Sequence, residues 1–309
     1  MKQKGTIFQN QTMVSLMAAL CCLLWGSAFP GIKLCYQWFQ IPAADTAVQI
    51  LFAGIRFTLA GLLTILAGSL LQKKFLKPTK EAMPKVFRLS LLQTVTQYVL
   101  FYVGLAHTTG VKSSIINAIN VFFAILVSCV MFRLEKLNSK KIVGCIIGFA
   151  GVVIVNLGGT MDMSFQVLGD GCLLLSSFAY AMSTVVIKLY GQKYDPVMLS
   201  GYQFTLGGMI MVIAALCVGG RISTITVSGL LLLLYLAMVS AGAYTLWGIL
   251  LKYQPVSKVA VFGFCTPIFG VLLSALVLKE STSFQPTTFV ALVLVCIGIV
   301  IVNYQKEVK

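Results

Sequence analysis

The peptide FAGIRFTLAG at positions 52–61 returns as LSGYQFTLGG at positions 199–208. Five residues match at a separation of 147 positions, namely Gly54 with Gly201, Phe57 with Phe204, Thr58 with Thr205, Leu59 with Leu206 and Gly61 with Gly208. Arg56 of the first copy is replaced by Gln203 in the second. A repeated apolar peptide of this kind indicates that the chain is built from two equivalent halves.

Three further segments repeat in the same order. VKSSIINAINVFFAILVSCVMFRLE at 111–135 aligns with VSKVAVFGFCTPIFGVLLSALVLKE at 256–280, GVVIVN at 151–156 with GIVIVN at 298–303, and WGSAFPGIKL at 25–34 with YAMSTVVIKL at 180–189. All the separations are similar and the matches cover nearly the whole chain, which is typical of an internal duplication. We therefore predict two repeat units, at 13–157 and 168–304.

The composition places both units in a membrane. Of the 309 residues, 59% are hydrophobic and 10% are charged, and the mean hydropathy is +0.95, whereas soluble domains carry about 25% charged residues. A helix needs about 20 apolar residues to cross a bilayer. Ten such stretches lie near 13–36, 48–71, 86–106, 111–133, 139–157, 168–190, 197–219, 226–251, 256–278 and 287–304. We predict an all-α membrane protein with ten transmembrane helices.

Each predicted unit holds five helices, and this odd number has a topological consequence. The second unit must enter the membrane from the opposite side, which makes the units inverted repeats, an arrangement typical of secondary transporters. Eighteen of the 23 Lys and Arg residues lie in alternate loops or at the termini, four lie in the other loops, and Arg56 lies inside a helix. By the positive-inside rule, both termini are predicted to be cytoplasmic.

Other functional classes find little support in the sequence. The net charge of +15 follows the loops, so it predicts topology and contacts with membrane lipids rather than a nucleic-acid surface. Nine cysteines without a C-x-x-C pair predict reduced packing residues, and we expect no metal and no cofactor. We expect no enzyme. The rival hypothesis, an intramembrane lipid-processing enzyme, needs a nucleophile, metal or acid–base group at bilayer depth, and the sequence shows none there.

Several short motifs together resemble one transporter family. They are a Trp-Gly-Ser step in helix one, an arginine–phenylalanine step in helix two, a long helix ending in Leu-Glu or Lys-Glu, and a Gly-rich helix closing each unit. This pattern is similar to the EamA branch of the drug/metabolite transporter superfamily. The resemblance implies a ten-helix plasma-membrane transporter, often an exporter of amino acids or other small metabolites, with a central cavity lined by both halves.

Arg56 is the most unusual residue of the apolar stretches. A charged side chain at depth costs about 2.5–3.5 kcal/mol on insertion scales, so it should face a cavity or a partner. Three interpretations stay open: Arg56 binds a substrate carboxylate, it forms a structural ion pair with Asp170, near the outer end of helix six, or it caps backbone carbonyls on the outer side.

Aromatic and amide side chains supply the other site candidates. Trp25 and Tyr180 occupy equivalent positions in the middle of helices one and six, where they line a cavity or pack helix against helix. Pro267, in the middle of helix nine, should free a backbone carbonyl. The remaining candidates are polar or aromatic residues of helices three, four and eight: Gln93, Gln97, Tyr98, Tyr102, Asn117, Asn120, Tyr244 and Trp247. Buried amides need hydrogen-bond partners, so these residues either line a wet cavity or join helices.

The sequence therefore predicts a secondary transporter that moves a small organic metabolite by alternating access between the two repeats. Efflux of an amino-acid-like solute is the first expectation. A multidrug or quaternary-ammonium exporter and a nutrient importer of the same fold are the alternatives. A coupling ion or exchanged solute, and the choice between a monomer and a homodimer, stay open.

Overall fold

The computed structural model describes residue 8 and residues 10–42, 44–108, 110–156, 165–278 and 286–304. These residues form ten helical segments and, within the described ranges, no strand. The segments are α1 (Gln11–Trp38), α2 (Thr46–Leu71), α3 (Met83–Leu89, Ser90–Thr96 and Gln97–Ala106), α4 (Gly110–Ala118, Asn120–Leu126 and Val127–Met131), α5 (Ser139–Asn156), α6 (Val167–Gly171 and Cys172–Lys193), α7 (Pro196–Cys217), α8 (Val227–Tyr253), α9 (Val256–Ala260, Val261–Phe264 and Cys265–Leu278) and α10 (Pro286–Asn303).

The lengths of these helices agree with a membrane-spanning bundle. Eight of them, within the described part of the chain, are long and apolar enough to cross a bilayer. The other two, α5 and α10, have 18 described residues each and occupy equivalent positions in the two halves. The predicted all-α membrane fold is confirmed. We call the side at which α1 begins and α10 ends the terminal face, and the other side the opposite face.

The helix contacts repeat between the halves. Helix α1 packs against α8 and α9, and its counterpart α6 packs against α3 and α4. Helix α2 packs along its own counterpart α7, and α5 packs along α10. Each half therefore inserts its first helix between the third and fourth helices of the other half, which is the contact pattern of a two-fold related pair.

The repeated peptide forms the contact between α2 and α7. A Cβ atom on Gly54 would lie 2.9 Å from the carbonyl oxygen of Gly208, and one on Gly61 would lie 2.5 Å from the carbonyl oxygen of Gly201. Residue numbers rise along α2 as they fall along α7, so the two copies cross antiparallel. Only glycine allows the backbones to approach this closely. The matched peptides are thus inverted copies that bind each other.

A second glycine crossing joins α5 to α10. A Cβ atom on Gly144 would lie 2.7 Å from the carbonyl oxygen of Gly298, and one on Gly151 would lie 2.7 Å from that of Ala291. Gly151 and Gly298 occupy equivalent positions in the repeated GVVIVN and GIVIVN segments. This contact has the same reciprocal pattern as the one between α2 and α7, and it fixes the fifth helix of each half against the other.

Helices α4 and α9 are interrupted at equivalent places. Pro267 has no N–H to bond the carbonyl of Gly263, and α9 runs through a tight 3-10 turn, Val261–Phe264, just before it. The carbonyl of Phe262 accepts a hydrogen bond from the thiol of Cys22 on α1 at 3.1 Å. Helix α4 is interrupted at Ile119, although its residue equivalent to Pro267 is Phe122. The irregular stretch of α4 therefore does not depend on a proline.

Candidate functional site

Aromatic side chains from six helices meet in the middle of the bundle. We call this set the aromatic cluster and define it as Trp25, Tyr36, Phe57, Tyr98, Tyr102, Tyr180, Phe204, Tyr244 and Trp247. Its members come from α1, α2 and α3 of the first half and from α6, α7 and α8 of the second. The cluster therefore lies between the two halves, where inverted-repeat transporters bind their substrates.

Ring contacts tie the cluster together across the halves. Phe57 and Phe204, the matched phenylalanines of the repeated peptide, stack with centroids 5.3 Å apart. The ring of Tyr98 lies 4.3 Å from that of Phe57, and its hydroxyl is hydrogen-bonded to the hydroxyl of Tyr244. Trp25 packs edge-on against Tyr244, at 5.0 Å. Rings with two rotatable bonds lose little entropy on ordering, so they make a rigid lining.

Arg56 lies at the edge of this cluster, about 15 Å along α2 from the opposite face. The residue is 4% exposed, and its guanidinium carbon lies 4.5 Å from the centroid of the Phe57 ring. Within the described part of the chain, the Nε of Arg56 has no hydrogen-bond partner. None of the ion pairs among the described residues includes Arg56.

The proposed pairing of Asp170 with Arg56 is wrong. Asp170 lies at the start of α6 and is 1% exposed. Its carboxylate accepts a charged hydrogen bond from Lys112 at 2.6 Å and further bonds from the Thr108 hydroxyl at 3.2 Å and the Gln166 N–H at 2.9 Å. Lys112 reaches this carboxylate because α4 begins beside α6 at the same face. Asp170 thus joins the first half to the second at the opposite face.

The counterpart of Arg56 has a different environment. Gln203 is fully buried, and its amide donates to Oε1 of Gln93 at 3.0 Å and accepts from the hydroxyl of Thr94 at 2.7 Å. Both partners lie in a π-helical turn of α3, Ser90–Thr96, a distortion that changes which side chains face a neighbouring helix. Gln93 therefore joins α3 to α7, and its amide oxygen is already bonded to protein.

Buried polar atoms without a protein partner lie in and around the aromatic cluster. Such atoms are uncommon, because each costs about 1–3 kcal/mol. Among the described residues they are Trp25 Nε1, Tyr36 OH, Arg56 Nε, Gln97 Oε1, Thr245 Oγ1 and Trp247 Nε1. Three of the six belong to groups that can only donate. The centre of the bundle therefore offers unmet donors to a solute that carries acceptor oxygens.

The other predicted candidates lie partly in the aromatic cluster and partly on α4. Tyr102 is 3% exposed and packs in the aromatic cluster, and Tyr180 is a half-buried member of it. Asn117 and Asn120 are half-buried on α4, and a Cβ atom on Gly263 of α9 would lie 3.9 Å from Oδ1 of Asn120. The structure thus brings the aromatic candidates together, whereas Gln93 bonds Gln203 and Asn120 lies beside α9.

A polar contact also joins the halves at the terminal face. Glu135, just after α4, accepts hydrogen bonds from the Ser257 N–H at 3.2 Å and from the Ser257 hydroxyl at the start of α9. Lys141 Nζ lies 2.8 Å from the same carboxylate. Burial alone would raise the pKa of Glu135, but the hydrogen bonds from Lys141 and Ser257 together outweigh it and hold the pKa below its ordinary value.

Four residues of this centre were not among the predicted site candidates. Tyr36, Phe57 and Phe204 are part of the aromatic cluster, and Gln203 is the polar residue that replaces Arg56. The repeated peptide carried the signal for three of them, because Phe57 matches Phe204 and Gln203 stands opposite Arg56 in the alignment. Tyr36 has no such signal, since it lies near the end of α1 among apolar and polar neighbours.

The fold defines a class of protein: a multi-helix membrane protein built from inverted repeats, an arrangement typical of secondary transporters. Comparison with known proteins agrees. The model of the EamA-like transporter family matches residues 12–157 and 167–304. The chain belongs to the EamA-like transporter family.

Relatives in bacteria and archaea span nearly the same length. An uncharacterized transporter of Archaeoglobus fulgidus is 27% identical over 87% of this chain and 90% of its own length. The uncharacterized transporter YvbV of Bacillus subtilis is 25% identical over 97% of this chain and 94% of its own. A crystal structure that is 15% identical superposes with a TM-score of 0.79 and covers 95% of this chain and 97% of that one. This last likeness shows the fold.

Proposed function

We propose that this transporter carries a small amino-acid-like solute out of the cell by alternating access, with the solute bound in the aromatic cluster. The observation that supports the proposal most directly is the state of Arg56. It is a buried cation whose Nε has no protein partner, and no ion pair of the described residues neutralises it. A substrate carboxylate would supply both the missing acceptor and the missing charge.

The aromatic cluster suits the other end of a zwitterion. An ammonium group is attracted to the faces of Trp and Tyr rings, by about 2 kcal/mol or more when it is desolvated. Trp25, Tyr180 and Tyr244 lie toward the middle of their helices, and Arg56 lies nearer the opposite face. A solute with a carboxylate at Arg56 and an ammonium over these rings would bridge the two halves.

Alternating access requires that each face of the bundle opens in turn. The contact of Asp170 with Lys112 joins the halves at the opposite face, and the contact of Glu135 with Ser257 joins them at the terminal face. Rocking one repeat, 13–157, against the other, 168–304, would break one of these contacts and keep the other. In the proposed motion, the contact at one face is therefore broken while the contact at the other face remains formed.

The direction and the orientation of transport are further parts of the proposal. The excess of Lys and Arg in alternate loops favours a cytoplasmic terminal face in the plasma membrane, and export is common in the family that the chain resembles. Reporter fusions to the loop between α2 and α3, residues 72–82, should give a cytoplasmic signal. An extracytoplasmic signal there would reverse the assignment of both faces.

The test is transport by purified protein in liposomes, with zwitterionic, anionic and cationic solutes compared. Arg56→Gln gives the first half the residue of the second, and it should lower transport of the zwitterions about 10- to 100-fold, the loss of one charged hydrogen bond of about 1.5–3 kcal/mol. The matched control is Arg88→Gln, which removes an arginine from the exposed start of α3 and should leave transport unchanged.

The solute panel also separates the alternatives. Transport of quaternary ammonium compounds by the wild-type protein, and not of zwitterions, would contradict the proposal and favour a multidrug exporter. Inward accumulation against a gradient in cells would favour a nutrient importer. Zwitterion transport that is equal in the wild-type protein and Arg56→Gln would mean that the arginine does not bind the solute.

A further inference from the structure

Two tryptophans of the aromatic cluster carry indole N–H groups that the proposed zwitterion contacts do not use. Trp25 on α1 and Trp247 on α8 meet edge-on, with ring centroids 4.9 Å apart. The Nε1 atoms of both rings are buried and have no hydrogen-bond partner in the described part of the chain. The two donors come from different halves of the molecule, since α1 belongs to the first repeat and α8 to the second.

An indole N–H can only donate, so each of these groups needs an acceptor. Leaving one indole N–H buried without an acceptor costs about 1–3 kcal/mol. Two such donors on rings in contact double that cost at a single place. The ring contacts alone do not require an indole, because a phenylalanine or leucine could fill the space without carrying a polar atom into it. The pair therefore has a chemical role in addition to packing.

The place of the pair in the cluster indicates which part of a solute it meets. Trp25 also touches Tyr244, at 5.0 Å, and the hydroxyl of Tyr244 is bonded to that of Tyr98. The Tyr98 ring in turn lies 4.3 Å from the Phe57 ring, over which the Arg56 guanidinium lies. Counted along their helices, Arg56 lies about 15 Å from the opposite face, Trp25 about 20 Å and Trp247 about 30 Å. The two indoles therefore lie on the terminal side of Arg56. A solute whose carboxylate lies at Arg56 would direct its distal end toward the two indoles.

We propose that Trp25 and Trp247 form a second polar subsite, which selects amino-acid-like solutes whose side chain ends in a hydrogen-bond acceptor such as an amide or carboxylate oxygen. This inference rests on the proposed function and names the substrate class within it. A site built to hydrogen-bond a solute rejects an isostere that lacks the polar group, because its own donors are then left unpaired. An apolar side chain of the same shape would therefore be a poorer substrate.

Asparagine and leucine test this subsite, because they have nearly the same shape and differ in the terminal amide. Trp25→Phe and Trp247→Phe keep a ring and remove the N–H. Each should lower the ratio of asparagine to leucine transport in proteoliposomes about threefold to tenfold, the value of one hydrogen bond. Leucine transport reports any loss that comes from packing or from a weaker ammonium contact, because both solutes share that loss. Trp38→Phe is the matched control, since Trp38 is the third tryptophan and is 38% exposed.

Each outcome decides the inference. Equal losses for asparagine and leucine, or a lower melting temperature with an unchanged preference between the two, would assign the tryptophans to packing and overturn the subsite. Unchanged transport of both solutes would overturn it as well. A wild-type protein that carries neither amino acid overturns the proposed function together with the subsite, whereas normal amino-acid transport with unselective tryptophan variants overturns the subsite alone.

Discussion

The surroundings of Arg56 and of Gln203 can be compared directly, because the two residues occupy the same position in inverted copies of one peptide. Gln203 is closed off by Gln93 and Thr94, which supply the acceptor and the donor that its amide needs. Arg56 has Phe57 beneath its guanidinium and an Nε without a partner. One copy of the position holds helices together, and the other carries a buried charge that no ion pair of the described residues neutralises.

The third helix of each half explains the difference. In α3 a π-helical turn, Ser90–Thr96, directs two polar side chains at Gln203. The segments 111–135 and 256–280 are 145 positions apart, and at this separation Gln93 and Thr94 correspond to Met238 and Val239 of α8. These two residues carry no hydrogen-bonding side chain and lie in regular α-helix. The duplication therefore kept the helix arrangement and changed the polar chemistry on one side only, which leaves the centre of the bundle electrically unequal.

The largest effect is expected at the crossing that makes the two positions equivalent. A side chain on Gly61 would collide with the backbone of Gly201 and Thr205, and backbone atoms cannot move aside as a flexible side chain can. Gly61→Leu should therefore abolish the folded, monodisperse protein in detergent extracts, measured by fluorescence-detected size exclusion.

Gly242→Leu is the control for that substitution. Gly242 lies within α8, and a Cβ atom there would meet nothing within 4 Å, so the variant should extract like the wild-type protein. Normal extraction of Gly61→Leu would mean that α2 and α7 do not depend on their close approach, and the reciprocal arrangement of Arg56 and Gln203 would lose its structural basis.

A smaller effect is expected when leucine replaces either Arg56 or Gln203, in two separate variants. Gln203→Leu leaves the Gln93 amide and the Thr94 hydroxyl unsatisfied in a buried place, at a cost of about 1–3 kcal/mol. Arg56→Leu removes a buried charge, and among the residues that the structure describes it leaves no hydrogen-bond or ion-pair partner unsatisfied. The free energy of unfolding should therefore stay the same or rise. Thermal melts of the two variants in one detergent compare these outcomes.

In transport assays the two variants should rank in the opposite order from their thermal stabilities. Arg56→Leu should lose zwitterion transport while it stays stable, and Gln203→Leu should keep its solute preference while it melts earlier. Equal destabilisation by the two substitutions would contradict the division between a structural and a functional copy. It would also indicate that Arg56 has a structural role that its contacts do not reveal.

The helices were predictable from the sequence because the bilayer fixes their length. Each of the ten predicted stretches overlaps one observed helix, since apolar runs of about 20 residues have no other stable arrangement in lipid. The match of Gly54 and Gly61 to Gly201 and Gly208 predicted equivalence. It did not predict contact, because two equivalent helices can lie on opposite sides of a molecule.

The polar contacts were less predictable because they depend on how neighbouring helices are rotated. Lys112 was counted among the loop charges that set topology, yet it binds the carboxylate of Asp170. Gln93 was a candidate for the cavity, yet a π-helical turn aims it at Gln203. Tyr98 and Tyr244 were both candidates, and only the assembled bundle shows that their hydroxyls bond to each other.

The crossing of α2 with α7 has the symmetry of an interface between identical subunits. Gly54 meets Gly208 while Gly61 meets Gly201, so each contact appears twice with the partners exchanged, which defines an isologous interface. Such an interface needs only one sequence: two separate five-helix chains, inserted in opposite directions, could form it as a homodimer. When the two copies are joined in one polypeptide, each copy can change its sequence wherever it does not contact the other. Arg56 is one residue that could then differ from its equivalent in the second copy.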